Sequence, residues 1–271
     1  MGMTVSYPII LAHGIWPFHR VLPFLFDSDN QEKDDRHYFR KIRSLYIQNG
    51  IEAFHSRTSW GGELERRAAD LRKEILKFTN NFKKYPKVHI IAHSMGGLDA
   101  RWMIYKYQMA EKVASLTTIG TPHHGSSYAD KALRRFGWLI SAALKPGLDL
   151  RGSLALTRAA CRDRNELLRP YEEKNGVLYR TIAGTQSIEH IFAPLKRSYR
   201  IIWKEEGEND GLVSLESALW KREYFLKQID ADHLNQIGWW DGGRAMGTTD
   251  KRVFDENIQE FYLGLAMSLP N

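Results

Sequence analysis

Short apolar runs alternate with longer stretches of helical spacing along most of the chain. Tyr7 to Ala12 (YPIILA) is the first run and predicts a strand. Tyr38 to Gln48 places Phe39, Ile42, Leu45 and Tyr46 at helical spacing, and Asn49-Gly50 ends it. Ile51 to His55 predicts the next strand. Glu63 to Phe82 predicts a long amphipathic helix with Leu64, Ala68, Leu71, Ile75 and Phe78 on one face. Val88, Ile90 and Ile91 form another buried strand, followed by a helix-like run from Leu98 towards Tyr107, and Val113 to Ile119 forms one more. Strand and helix in alternation mean a parallel sheet with crossover helices.

Ser126 to Pro170 breaks this rhythm. Leu133, Phe136, Ile140 and Leu144 make one helical stripe, Pro146-Gly147 interrupts it, and a second run passes through Leu154, Leu156, Ala159 and Ala160. Such an excursion is either a static decoration or, above an active site, a lid. Strands are expected again at Val177 to Ala183, Tyr199 to Trp203 and Tyr224 to Ile229, and a closing helix from about Arg252 to Met267. No repeat or long linker divides the chain, so residues 1–271 read as one α/β domain.

Composition adds limits. A net charge of +7 favours anionic surfaces, lipid interfaces included, but the basic residues are scattered. No basic arm or aromatic platform points to nucleic acid, and no partner chain or oligomeric state can be read. Cys161 is the only cysteine, so there is no internal disulfide. No apolar run reaches transmembrane length. No basic leader with a cleavage site precedes the first strand, so the expected location is cytoplasmic, or secreted if the chain is a mature form.

The chemistry centres on Lys87 to Trp102, KVHIIAHSMGGLDARW. A serine on a sharp turn between a strand and a helix is a nucleophile elbow, and Ser94 occupies that place. The turn lifts the hydroxyl above the strand ends and demands small neighbours. Gly96 and Gly97 supply them on one side, and Ala92 stands where a glycine is usual on the other. The start of the following helix brings backbone N–H groups beside the serine, where an oxyanion would form. Upstream, the first strand runs into His13-Gly14-Ile15-Trp16-Pro17-Phe18, the form of an oxyanion loop. The N–H groups of Ile15 and Met95 are the two candidate donors.

A serine nucleophile needs a base and an acid that orients the base, in the chain order Ser, acid, His. Downstream histidines are His123, His124, His190 and His233. His123 and His124 come too early to follow an acid, and His190 has only Glu189 beside it. His233 lies between the last expected strand and the closing helix, where a base belongs. Asp210, in Asn209-Asp210-Gly211, sits on a tight turn before it. Asp232 adjoins His233, but adjacent residues rarely face each other, and Asp99 falls on the elbow helix.

The blocks PIILAHGIWPF, VHIIAHSMGG, TTIGTPHHGSSYAD, ENDGLV and DHLNQIG, in this order, resemble the bacterial true lipases, a triacylglycerol lipase family of the α/β-hydrolases. The resemblance spans most of the chain. It implies an α/β-hydrolase fold: a mostly parallel central sheet, helices on both faces and a helical lid after Gly125. It implies hydrolysis of carboxylic esters, on acylglycerols or other fatty-acyl esters, with Ser94, Asp210 and His233 as triad and Ile15 and Met95 as oxyanion donors. An acyltransferase, or a phospholipid or glycolipid deacylase, would use the same triad, while a non-catalytic binding module would usually lack a member. The family's calcium site needs aspartates where this chain has Asn235 and none in Ser187 to Glu208, and its zinc site needs a histidine that Glu63 to Lys87 lacks. The expectation is therefore no metal and no cofactor.

Overall fold

A computed structural model of the chain describes residues 5–15, 34–142 and 151–270, with 136–142 and 151 described by backbone alone. Among these, six strands form one sheet: β1 (Ile9–Ala12), β2 (Ala53–His55), β3 (Val88–His93), β4 (Val113–Ile119), β5 (Leu178–Thr185) and β6 (Phe225–Asp230). Their order is β2-β1-β3-β4-β5-β6, and every pair is parallel. The expected mostly parallel sheet is all-parallel over these strands.

Side-chain alternation divides the core between two faces. Ile9, Leu11 and Ile91 pack with α1 (Ile42–Gln48) and α7 (Lys251–Met267) through Tyr46, Phe254 and Tyr262. Ile10, Ala12 and Ile90 point the other way, onto α2 (Leu64–Phe78) and α3 (Met95–Lys106) through Leu71, Ile75 and Met103. Both residues of each successive pair are thus buried, which is why β1 and β3 read as continuous apolar runs. The elbow strand β3 is central, buried along its whole length.

Two elements differ from the sequence reading. The α2 helix stops at Phe78, because Asn80, Asn81 and Phe82 all take positive φ and Thr79 Oγ1 accepts the Phe82 N–H at 3.1 Å. Tyr199 to Trp203 is not a strand but part of α6 (Lys196–Glu206). Tyr199 and Ile202 are buried at helical spacing while Trp203 faces outward, and Pro194 opens the preceding 3-10 turn, Ala193–Leu195. β5 therefore pairs directly with β6.

Between β4 and β5 lie α4 (Ser127–Ala142) and α5 (Arg158–Glu172), the latter capped by the Thr157 side chain. Of the expected stripe on α4, Leu133 is half-buried. The side chains of Phe136 and Ile140, and Leu144 with Pro146-Gly147, lie outside the described residues. The first turn of α4 is held to α5 and α6. The Ser127 N–H donates to Glu206 at 2.6 Å, Lys131 pairs with Glu205 at 2.6 Å, and Arg158 bridges Asp130 and Glu205.

Candidate active site

Ser94 stands between β3 and α3 with φ 56 and ψ −133, a backbone region that non-glycine residues rarely occupy. Such strain costs on the order of 1–3 kcal/mol and persists only where the surroundings over-determine it. Here they do. The Ser94 N–H donates to Ile119 O at 3.0 Å, and its carbonyl accepts from Thr121 Oγ1 at 2.7 Å and from the Gly97 N–H at 3.1 Å. A Cβ on Gly96 would stand 2.4 Å from the carbonyl oxygen of Ala12, and one on Gly97 would stand 2.3 Å from Thr121 Oγ1. Both positions therefore require glycine if the helix is to begin this close to the end of β1 and to the end of β4. Ala92 fits within the strand, buried on the α2–α3 face.

The loop after β1 lies against this turn. A Cβ on Gly14 would sit 2.7 Å from Ser94 Cβ, so the two backbones are nearly in contact. Ile15, the last described residue there, is half-buried; Trp16, Pro17 and Phe18 lie outside the described residues. Met95 is the first residue of α3, and first-turn N–H groups have no intrahelical acceptor. The loop is fastened by Arg67, which sequence reading did not single out. Its side chain, fully buried on α2, donates to His13 O at 2.9 Å and to Ser59 O. The guanidinium is paired with Asp99 of α3 at 2.6 Å, so Asp99 belongs to this support.

Asp210 and His233 meet at the same end of the sheet. His233 Nδ1 lies 2.7 Å from Asp210 Oδ2, and the His233 backbone N–H donates to the Asp210 carbonyl at 2.8 Å. The remaining acceptor capacity of the carboxylate is also used. Oδ1 takes the N–H groups of Leu212 and Val213 at 2.9 and 2.7 Å, and Oδ2 takes Gln236 Nε2 at 2.8 Å. An ionised carboxylate only accepts, so the imidazole must donate from Nδ1, which leaves Nε2 as the acceptor. The His233 ring packs 4.4 Å from that of His93, the residue before Ser94. His93 Nδ1 is in turn 2.7 Å from Tyr38 Oη. Burial, with His233 nearby, holds His93 well below the usual imidazole range, so it packs against His233 as a neutral ring.

The competing residues are occupied elsewhere. Asp232 turns away from His233 and accepts the N–H groups of Phe192, Leu234 and Asn235. Burial raises it to about 6, against the pull of those donors. His123 stacks on Trp220 at 4.2 Å beside Arg101, and His124 reaches the Trp220 carbonyl at 2.9 Å. Asn235 spans its own turn, donating to Trp239 O and accepting from the Asp232 N–H. Among the described residues no group of three His, Cys, Asp or Glu side chains is placed to hold a metal ion.

Residues 29–155 match the family model of the PGAP1-like alpha/beta domain. The chain is similar to triacylglycerol lipase 2 of Saccharomyces cerevisiae, at 27% identity over 97% of this chain and 90% of that one. It is also similar to a triacylglycerol lipase of Pseudomonas fragi, at 31% identity over 53% of this chain and 45% of that one. Among solved structures, the metagenomic carboxyl esterase MGS0156 superposes with a TM-score of 0.74 at 20% identity, covering 97% of this chain and 76% of its own. The chain thus spans nine-tenths of the yeast relative and less than half of the Pseudomonas one.

Proposed function

We propose, for a chain that is similar to triacylglycerol lipases and cleaves carboxylic esters, that Ser94 is the nucleophile, His233 the base and Asp210 the orienting acid. Ser94 Oγ attacks the ester carbonyl while its proton passes to His233 Nε2. The Ile15 and Met95 N–H groups receive the oxyanion, whose charge develops where donors are already in place. Collapse breaks the bond to the alcohol, which leaves with the proton from His233. Water then attacks the acyl-serine while His233 takes its proton; the second collapse breaks the bond to Ser94 Oγ, which recovers the proton from His233 as the carboxylic acid departs.

One observation carries this reading: Asp210 is saturated by four donors, one of them His233 Nδ1, and the His233 ring packs 4.4 Å from that of His93, the residue before the strained Ser94. Gln236 supplies one of the four, so its loss should loosen the acid without removing it. Gln236→Leu is expected to lower kcat roughly 10–30-fold, as for one hydrogen bond to a charged group, with KM for a soluble ester unchanged. Steady-state kinetics on p-nitrophenyl butyrate check this. A wild-type kcat would mean that the amide does not support the acid.

The substrate we infer is an acylglycerol or a related fatty-acyl ester, taken up at a lipid interface. The support is the resemblance to lipases together with the apolar stripe of 126–170, which can cover an acyl pocket or lie on lipid. Each Leu or Phe moved from a pocket into water would cost about 1.5–3 kcal/mol, whereas moving it into lipid is nearly neutral. The Phe136→Asp, Ile140→Asp double variant should lose activity on emulsified tributyrin and keep hydrolysis of p-nitrophenyl acetate. A joint fall of both activities with thermal stability would make the segment a fixed part of the core. Rates across p-nitrophenyl esters from acetyl to palmitoyl then separate a lipase from a short-chain esterase.

A further inference from the structure

Past the ends of β5 and β6, a cavity of about 750 Å³ opens between the loop after Thr185, α6 and Arg244. None of its lining residues belongs to the triad or the oxyanion loop. Its volume is within the range of small-molecule sites, ~300–1,000 Å³. Trp203 lines it and is 52% exposed, although an indole normally buries most of its surface. The ring is not loose: it stacks on the buried Tyr199 with centroids 5.6 Å apart and planes 19° from parallel. The result is a backed aromatic platform facing the cavity.

The polar groups around that platform carry both signs. Glu189, Glu208 and Asp230 line the cavity together with Arg200, Arg244 and His190. Arg244 and Asp230 stand 3.8 Å apart, and Gln186 Nε2 holds the Arg244 carbonyl at 2.8 Å, which fixes that rim. An acyl chain would strip water from six ionisable groups without replacing it. A phosphate would meet three carboxylates, and a cation two guanidinium groups. A hydroxyl both donates and accepts, so a ring of hydroxyls serves carboxylates and guanidinium groups together. Its axial C–H face suits the electron-rich face of an indole.

We propose that this cavity binds a neutral polyhydroxylated ligand, a hexose-type sugar ring stacked on Trp203. The inference goes beyond ester hydrolysis and does not rest on it. Two sources share the chemistry: a free saccharide and the headgroup of a glycolipid.

Isothermal titration with methyl β-d-glucopyranoside, methyl α-d-mannopyranoside and maltose tests the site directly. At least one sugar is expected to bind saturably. Trp203→Ala should weaken it about tenfold or more and Trp203→Phe should largely restore it, with kcat/KM on p-nitrophenyl butyrate within about twofold of wild type throughout. A second arm uses Ser94→Ala, so that no ester is consumed, with phosphatidylcholine vesicles carrying or lacking glucosylceramide. Trp203-dependent sedimentation with glucosylceramide vesicles assigns a lipid headgroup, and sugar binding without it assigns a free saccharide. The proposal is overturned if no sugar binds and glucosylceramide has no effect, if Trp203→Ala binds as well as wild type, or if d-glucuronate binds more tightly than methyl β-d-glucopyranoside.

Discussion

Ser94→Ala is expected to lower kcat on p-nitrophenyl butyrate by roughly 10⁴–10⁶-fold and to leave KM within a few-fold, as removals of a triad nucleophile do. In the proposed mechanism the hydroxyl oxygen forms the acyl bond, and an alanine methyl cannot replace it. The methyl of alanine fits where Ser94 Cβ already stands, so the fold should be retained and even relieved of no more than a hydroxyl. The strained φ of 56 is kept by the Ile119, Thr121 and Gly97 hydrogen bonds, all made by the Ser94 backbone. An unchanged melting temperature with lost turnover is therefore the expected pair of results. Turnover at the wild-type rate, in a preparation free of contaminating esterase, would remove Ser94 from the chemistry.

Asp210→Asn should be the next most damaging change, costing about 10⁴-fold in kcat by analogy with the equivalent substitution in a serine protease triad. The asparagine carboxamide has one oxygen and one NH₂ where the carboxylate has two acceptors. If its oxygen stays with the Leu212 and Val213 N–H groups, its NH₂ faces His233 Nδ1 and Gln236 Nε2. His233 then turns to the other tautomer, with its proton on Nε2 and no lone pair for Ser94. Asp232→Asn should act differently, because Asp232 supports the turn that carries His233 through the N–H groups of Phe192, Leu234 and Asn235. It should lower the melting temperature more than kcat. Its carboxyl rises from 3.8 to about 6 in the folded chain. The folded state thus holds that proton more tightly than the unfolded state, and this group's stabilising contribution declines as pH rises through that interval. Asp232→Asn should abolish that part of the slope. Circular dichroism melts across pH 4–7, set beside kinetics of both variants, decide the ranking; a larger kcat loss in Asp232→Asn would transfer the orienting role to Asp232.

The strands and the elbow were legible because their constraints are local. A run such as Ile9 to Ala12 must be buried on both faces, and a serine between Ala92 and Gly96 at a strand end leaves few alternatives. That Asp210 and His233 would lie together was legible from chain order. The α6 helix was not, since Tyr199, Ile201, Ile202 and Trp203 satisfy either period over so short a window. What decides it is which of these side chains meets the core, a tertiary fact. The supports of the site were hidden for the same reason. Arg67 reaches His13 across 54 positions, and Tyr38 reaches His93 across 55. Gln236 left a fainter trace, three residues after His233 on the one-turn helix Asn235–Ile237, where a helical projection puts both on one side.

The most direct test of a His233-activated Ser94 is peptide mapping by mass spectrometry after reaction with a fluorophosphonate. The reagent bonds covalently to a serine whose proton a neighbouring base removes. A single adduct on the peptide containing Ser94, absent in His233→Ala and unchanged in Asp232→Asn, is the expected outcome. An adduct on a different serine, or equal labelling of Ser94 in wild type and His233→Ala, would contradict the account.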